Sequence, residues 1–220
     1  MKQNYSELPN GYLESINKGI NAVRNFRGGM TEGKLSRDEA IVRLKMEIET
    51  ADAIVNAANS QMLGCFVPMH TCIDNCIHTY AGVQLRAECN QKMNELRAKY
   101  GPDYEQPTAV PMLTDGYNLP AKKVVHIVGP IVTGKLTKDL EQDLADCYKN
   151  TLDLCLENDI RSVAFCCIST GVFRFPNRKA AEIAVRTVTE WMDEHPDQME
   201  RVIFNVFKDE DKAYYEAELQ

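Results

Sequence analysis

At 220 residues, with 44% hydrophobic and 26% charged side chains, the chain has the composition of a folded globular protein, which excludes a disordered or fibrous polymer. Its 32 Asp and Glu outweigh 25 Lys and Arg, so no overall basic field favours a nucleic acid polymer, while a small anion held by backbone amides stays open. No apolar run reaches the roughly 18 residues of a membrane span, and MKQNYSELPNGYLES at the start has no signal-like stretch, so the expectation is a cytoplasmic protein with no membrane partner.

Leu13, Ile16, Ile20 and Val23 recur at helical spacing, which predicts an opening amphipathic helix, broken by FRGGMTEGK. VRLKMEIE over Val42 to Glu49 alternates apolar and polar residues as a strand with one buried face does. DAIVNAAN reads as a second strand that runs out into a loop at Asn56 to Ser60. Between Cys72 and Tyr100, Ile73, Ile77, Ala81, Leu85, Cys89, Met93 and Leu96 return every three or four positions, predicting a long helical region interrupted near Gly82. KKVVHIVGP is a strand ended by Gly129 and Pro130, Leu136 to Asn158 a helix, and RSVAFCCIST a strand opening into STGVFRFPN. A helix over residues 178 to 194, the strand RVIFNVF and a closing helix DEDKAYYEAEL complete the series. Strands alternating with helices predict an α/β layered domain with a largely parallel sheet, whose ligands collect beyond the carboxyl ends of the strands.

Three stretches carry chemistry. In GCFVPMHTC, Cys65, His70 and Cys72 offer soft sulfur and nitrogen donors in a span short enough to fold back on itself at Gly64 and Pro68. Three donors leave a zinc position open for catalysis, whereas Cys76, one helical turn beyond Cys72, offers a fourth that would make the site structural; plain packing thiols are the third possibility. In VNAANS, Asn56 and Asn59 flank two small alanines, so a ligand approaches the backbone closely while the amides meet its hydroxyls, unless they simply cap turns. STGVFRF, Ser169 to Phe175, is either a plain turn or a loop presenting successive backbone N–H groups ahead of a helix, the way diphosphates are held without basic side chains, and Phe173 and Phe175 either flank a sugar or base or simply pack. His126, inside an apolar strand, reads as a hydrogen-bonded core histidine, and His78, on the helix that follows Cys72, as no ligand. His195, in DEHPD, reads as part of a solvated turn. Asp74 suits a helix N-terminus or a polar contact to the ligand.

DAIVNAANSQMLGC, PAKKVVHIVGP and ISTGVFRFPNRKAAEIA, in that order, resemble the macrodomain, an ADP-ribose-binding α/β/α three-layer fold with a mixed, largely parallel central sheet. The insertion GCFVPMHTCIDN is similar to the zinc-dependent bacterial and fungal branch of that family. The resemblance implies an N-terminal helical extension over residues 1–40 and a macrodomain over 41–220. It implies a zinc-dependent protein-ADP-ribose hydrolase that removes mono-ADP-ribose from Asp or Glu side chains; the alternative is a non-catalytic ADP-ribose reader with a structural zinc. It further implies one zinc per chain on Cys65, His70 and Cys72, and Asn59 at the distal ribose. Ile73 and Asp74 would lie against the ligand beside the metal, and Ser169, Thr170, Gly171, Val172 and Phe173 would wrap the diphosphate and distal ribose. Implied partners are mono-ADP-ribosylated protein, a lipoylated glycine-cleavage-H-like carrier and a sirtuin-like ADP-ribosyltransferase. One departure stands at the adenine site, where Glu47 and Ile48 of MEIET occupy the Asp-Ile positions of the family's GDIT, and another at Cys76, where a cysteine is not the family pattern.

Overall fold

The computed structural model describes residues 51–67, 70 and 72–220. The opening helix, the strand expected over Val42 to Glu49, and Glu47 and Ile48 lie outside the described residues. Among those described, the order is β1 (Ala53–Ala58), α1 (Ile73–Ala81), α2 (Val83–Tyr100), β2 (Met112–Asp115), β3 (Lys123–Val128), α3 (Lys138–Glu157), β4 (Ser162–Phe165), α4 (Asn177–Glu194), β5 (Arg201–Phe204) and α5 (Asp209–Glu218). No helix among these residues is long and apolar enough to cross a membrane.

The five strands form one sheet in the order β2-β3-β1-β4-β5. All pairs are parallel except β2 with β3. The β1 and β3 runs are apolar on both faces because helices cover both, as a parallel sheet requires. On one side α3, α4 and α5 close over Val55, Val125, Tyr148, Leu152, Phe165 and Trp191. Each of those aromatics is at most 2% exposed, so truncation to alanine costs about 3–5 kcal/mol. On the other side α1 and α2 bring Ile77, Leu85, Cys89 and Met93 down onto Ala58, Val124 and Val128. The result is the expected three-layer α/β/α arrangement around a mixed, largely parallel sheet.

Local chemistry sets the element ends. Thr137 caps α3, its hydroxyl accepting from the Leu140 N–H at 3.3 Å. Gly82 divides α1 from α2 with φ of 91°, a left-handed backbone that glycine adopts without a steric penalty. The sequence reading has no counterpart for β2. MLTD is too short to display alternation, and only its antiparallel pairing with β3 makes it a strand. His195 also departs from expectation: instead of standing in a solvated turn it caps α4 and stacks on Trp191, with ring centroids 4.2 Å apart.

Candidate active site

The site is built where β1 runs into α1. Asn56, near the end of β1, is wholly buried, and β3 places His126 beside it as its register partner. Cys72 is the N-cap of α1, its sulfur accepting from the Asn75 N–H at 3.4 Å, so Asp74 falls in the first turn, where the helix dipole favours an anion. The Asp74 carboxylate is nonetheless 4% exposed, and that burial pushes its pKa above the ordinary carboxylate value, against the lowering effect of the Asn56 hydrogen bond.

Four side chains converge on this carboxylate and the groups behind it. Asn56 donates from Nδ2 to Asp74 Oδ1 at 2.8 Å and lies 3.0 Å from His126 Nδ1. Asn59 donates from Nδ2 to the Gly64 carbonyl at 3.2 Å and to Asp74 Oδ2 at 3.5 Å, while its Oδ1 accepts from the Gln61 N–H. His78 approaches from one turn along α1, its Nε2 3.6 Å from Asp74 Oδ1. Burial holds both imidazoles neutral, lowering His78 to about 4 and His126 to about 3. Neither histidine was singled out as a functional neighbour in the sequence. Their role depends on strand register and helix phase, which no local pattern encodes.

Cys65, His70 and Cys72 come together as expected, with donor atoms all within 4.8 Å of one another and Cys65 Sγ 3.3 Å from His70 Nδ1. Tetrahedral zinc with bonds near 2.0–2.3 Å separates its donors by about 3.6 Å, so the three fit this ion with little adjustment. Cys76 is not part of that cluster. Burial, with Cys65 adding to it, pushes the Cys72 thiol up to about 11, a cost that a bound cation reverses. The loop is held from below and from the side. Asn75 donates to the Cys65 carbonyl at 3.1 Å, and Arg86 of α2 donates to the Leu63 carbonyl at 2.9 Å while its guanidinium lies 4.8 Å above the Phe66 ring.

A second loop follows β4. Ser169 takes a left-handed backbone at φ of 64°, and its carbonyl accepts from the Phe175 N–H at 3.0 Å; Gly171 accepts from Arg174 at 3.1 Å. These bonds close the loop while the N–H groups of Gly171, Val172 and Phe173 are engaged by no other backbone group among the described residues. Thr170 is tied by its hydroxyl to the Cys167 carbonyl, and Val172 is exposed. The loop seats on β3's end: a Cβ at Gly129 would come within 2.1 Å of Ser169 Oγ, so only glycine fits there. Phe173 is partly buried against the apolar cluster that includes Ala58 and Met62. Of the two alternatives for Phe175, packing holds: it is core at 1% exposure. Ile73 sits at the start of α1, 36% exposed beside Asp74.

The Macro domain family model matches residues 55–184. A "Protein-ADP-ribose hydrolase" of Treponema medium is 53% identical over 164 residues, 74% of this chain and 60% of the relative. The chain thus spans about 60% of the length of the curated relatives it matches. Among solved structures, the Oceanobacillus iheyensis macrodomain with ADP is 35% identical with a TM-score of 0.67, over 79% of this chain and 86% of the other. The Trypanosoma brucei macrodomain in complex with ADP-ribose is 33% identical with a TM-score of 0.64, over 79% and 66% respectively. With the β1–α1 and β4 loops placed at the carboxyl ends of the parallel strands, this chain belongs to the Macro domain family.

Proposed function

We propose that the chain is a zinc-dependent hydrolase that binds ADP-ribose and removes it from acidic side chains of mono-ADP-ribosylated protein. The observation that carries this reading is the convergence of Asp74, Asn59 and the Cys65–His70–Cys72 cluster at one helix start. The relative named as a protein-ADP-ribose hydrolase and the macrodomain held in complex with ADP-ribose support it.

The free N–H groups of Gly171 to Phe173 suit the diphosphate, which needs amides rather than lysines in a chain of net charge −7. Asn59 and Ile73 border the distal ribose. Asp74, a carboxylate raised by burial and fixed by two asparagines, is a better proton acceptor than a solvated one and orients a water against the ribose or the ester. Cys65, His70 and Cys72 would hold a zinc ion, which would supply Lewis-acid polarisation of a substrate oxygen. Glu47 and Ile48 are assigned to the adenine end. A sirtuin-like ADP-ribosyltransferase and a lipoylated carrier protein are the proposed biological partners.

The test is release of ADP-ribose from an Asp/Glu-modified protein by zinc-loaded chain, before and after chelation. Turnover that stops on chelation and returns with zinc is expected. Binding of ADP-ribose without any release by the zinc-loaded chain would convert the proposal to a reader module.

A further inference from the structure

We infer that His126, its tautomer set by Thr114, is a positioning residue for Asp74, acting through the Asn56 amide. The inference rests on the proposed role of Asp74 in hydrolysis, but its geometry is independent of that role.

Asn56 Nδ2 carries two hydrogens, and its two neighbours are Asp74 Oδ1 at 2.8 Å and His126 Nδ1 at 3.0 Å. Both are served only if Nδ1 is a bare lone pair, which places the ring proton of neutral His126 on Nε2. There Thr114 Oγ1 waits at 2.9 Å, and its own hydroxyl proton points to the Val124 carbonyl at 3.5 Å. Each hydrogen in the series Thr114, His126, Asn56 therefore has one acceptor, the two on Asn56 serving His126 and the Asp74 carboxylate. The opposite tautomer sets an N–H against an N–H at Asn56. The amide would then turn over and face its oxygen to the Asp74 carboxylate, acceptor against acceptor.

Two features separate this from an ordinary buried polar cluster. Among the described residues Asn56 Oδ1 has no hydrogen-bond partner although it is fully buried, so the side chain forgoes one bond while keeping both donors committed. The three relay members also sit on the paired strands β1, β2 and β3, with Asn56 and His126 as direct register partners. Cys89 Sγ lies 3.8 Å from His126 Nε2, but burial keeps that thiol neutral, up to about 12, and it is a weak acceptor beside the hydroxyl. A wholly apolar core would be cheaper at these positions, which makes orientation of the carboxylate the reason for retaining the polar chain.

Thr114→Val removes the acceptor at nearly constant volume, and Thr114→Ser keeps it. In the zinc-loaded 220-residue chain, ring nitrogen NMR should find wild-type His126 protonated on Nε2, a substantial Nδ1-protonated population in Thr114→Val, and the wild-type pattern in Thr114→Ser. The Asp74 carboxyl carbon resonance should move in the valine variant only. With modified protein as substrate, kcat of Thr114→Val should fall about tenfold while ADP-ribose affinity stays within about twofold, and the serine variant should recover most of the rate. A wild-type ring protonated on Nδ1, an unmoved Asp74 resonance, wild-type kcat in Thr114→Val, or an equal loss of ADP-ribose affinity would overturn the inference. A wild type that binds ADP-ribose but never hydrolyses overturns the hydrolase proposal alone, because the two NMR signatures still decide the positioning claim.

Discussion

Lowering the pH from 7 to 5 should remove about 4 kcal/mol from the stability of the folded chain, and the loss traces to His78 and His126. Burial lowers them to about 4 and about 3 from an ordinary value of 6.5, so over this range the unfolded chain takes up two protons that the folded chain refuses. Stability due to these groups is fully present above 6.5 and is lost as pH falls through the unfolded value, at about 1.4 kcal/mol per pH unit for each ring. By pH 5 that amounts to about 2 kcal/mol each. Asp74 works in the opposite sense, because a raised carboxyl in the folded state accepts a proton before the unfolded one does, and it offsets part of the loss. Urea unfolding at pH 7 and pH 5 measures the difference. With a slope of about 2 kcal/mol per molar, the histidines alone would lower the midpoint by about 2 M, and Asp74 reduces that drop. Proton NMR of the rings gives the direct check, with His78 and His126 unchanged down to pH 5. Either ring titrating near 6.5, or a midpoint that does not move, would refute the assignment of these imidazoles as neutral core groups.

Replacing Asp74 by Asn should lower kcat by about a hundredfold or more and leave ADP-ribose affinity within about threefold, as read by turnover and calorimetry. Gly129→Ala forces a Cβ against Ser169 Oγ and, at 2.7 Å, against Ile168 Cγ2. It should cost about 1–3 kcal/mol in urea unfolding and weaken ADP-ribose binding at least about tenfold by displacing the loop. Chelation should abolish turnover with far-ultraviolet circular dichroism unchanged, since the two buried clusters of the sheet layers form without the metal loop.

The elements legible in the sequence were those with a period long enough to read. The spacing of Leu140, Leu144, Cys147, Tyr148, Leu152 and Cys155 marks the inner face of α3, and all are buried except the partly buried Leu140. The Cys65–His70–Cys72 grouping was legible because a short loop brings its own residues together whatever the rest of the fold does. β2 was not, being four residues whose strand character comes from β3. The surroundings of Asp74 were legible only in part. Asn59 lies close in sequence, but His126 and Thr114 reach the carboxylate across two strand pairings, and a register set by tertiary packing leaves no mark on either segment. Phe175 and His195 were read by their polar or glycine-bearing neighbours, while the apolar surfaces onto which they fold decided their positions.

Gly64 lies so close to His78 that an added Cβ would fall 2.8 Å from the ring's Cγ, and its φ of 88° already disfavours any other residue. The peptide just ahead of the first sulfur donor is therefore wedged on an imidazole that belongs to the same helix as the carboxylate. Cation clasp and proton acceptor share one foundation, so a shift in either drags the other along. Selective retuning of one half of the machinery would have to begin elsewhere, at the outer rim near Phe66 and Val67, where both side chains stand free of the interior.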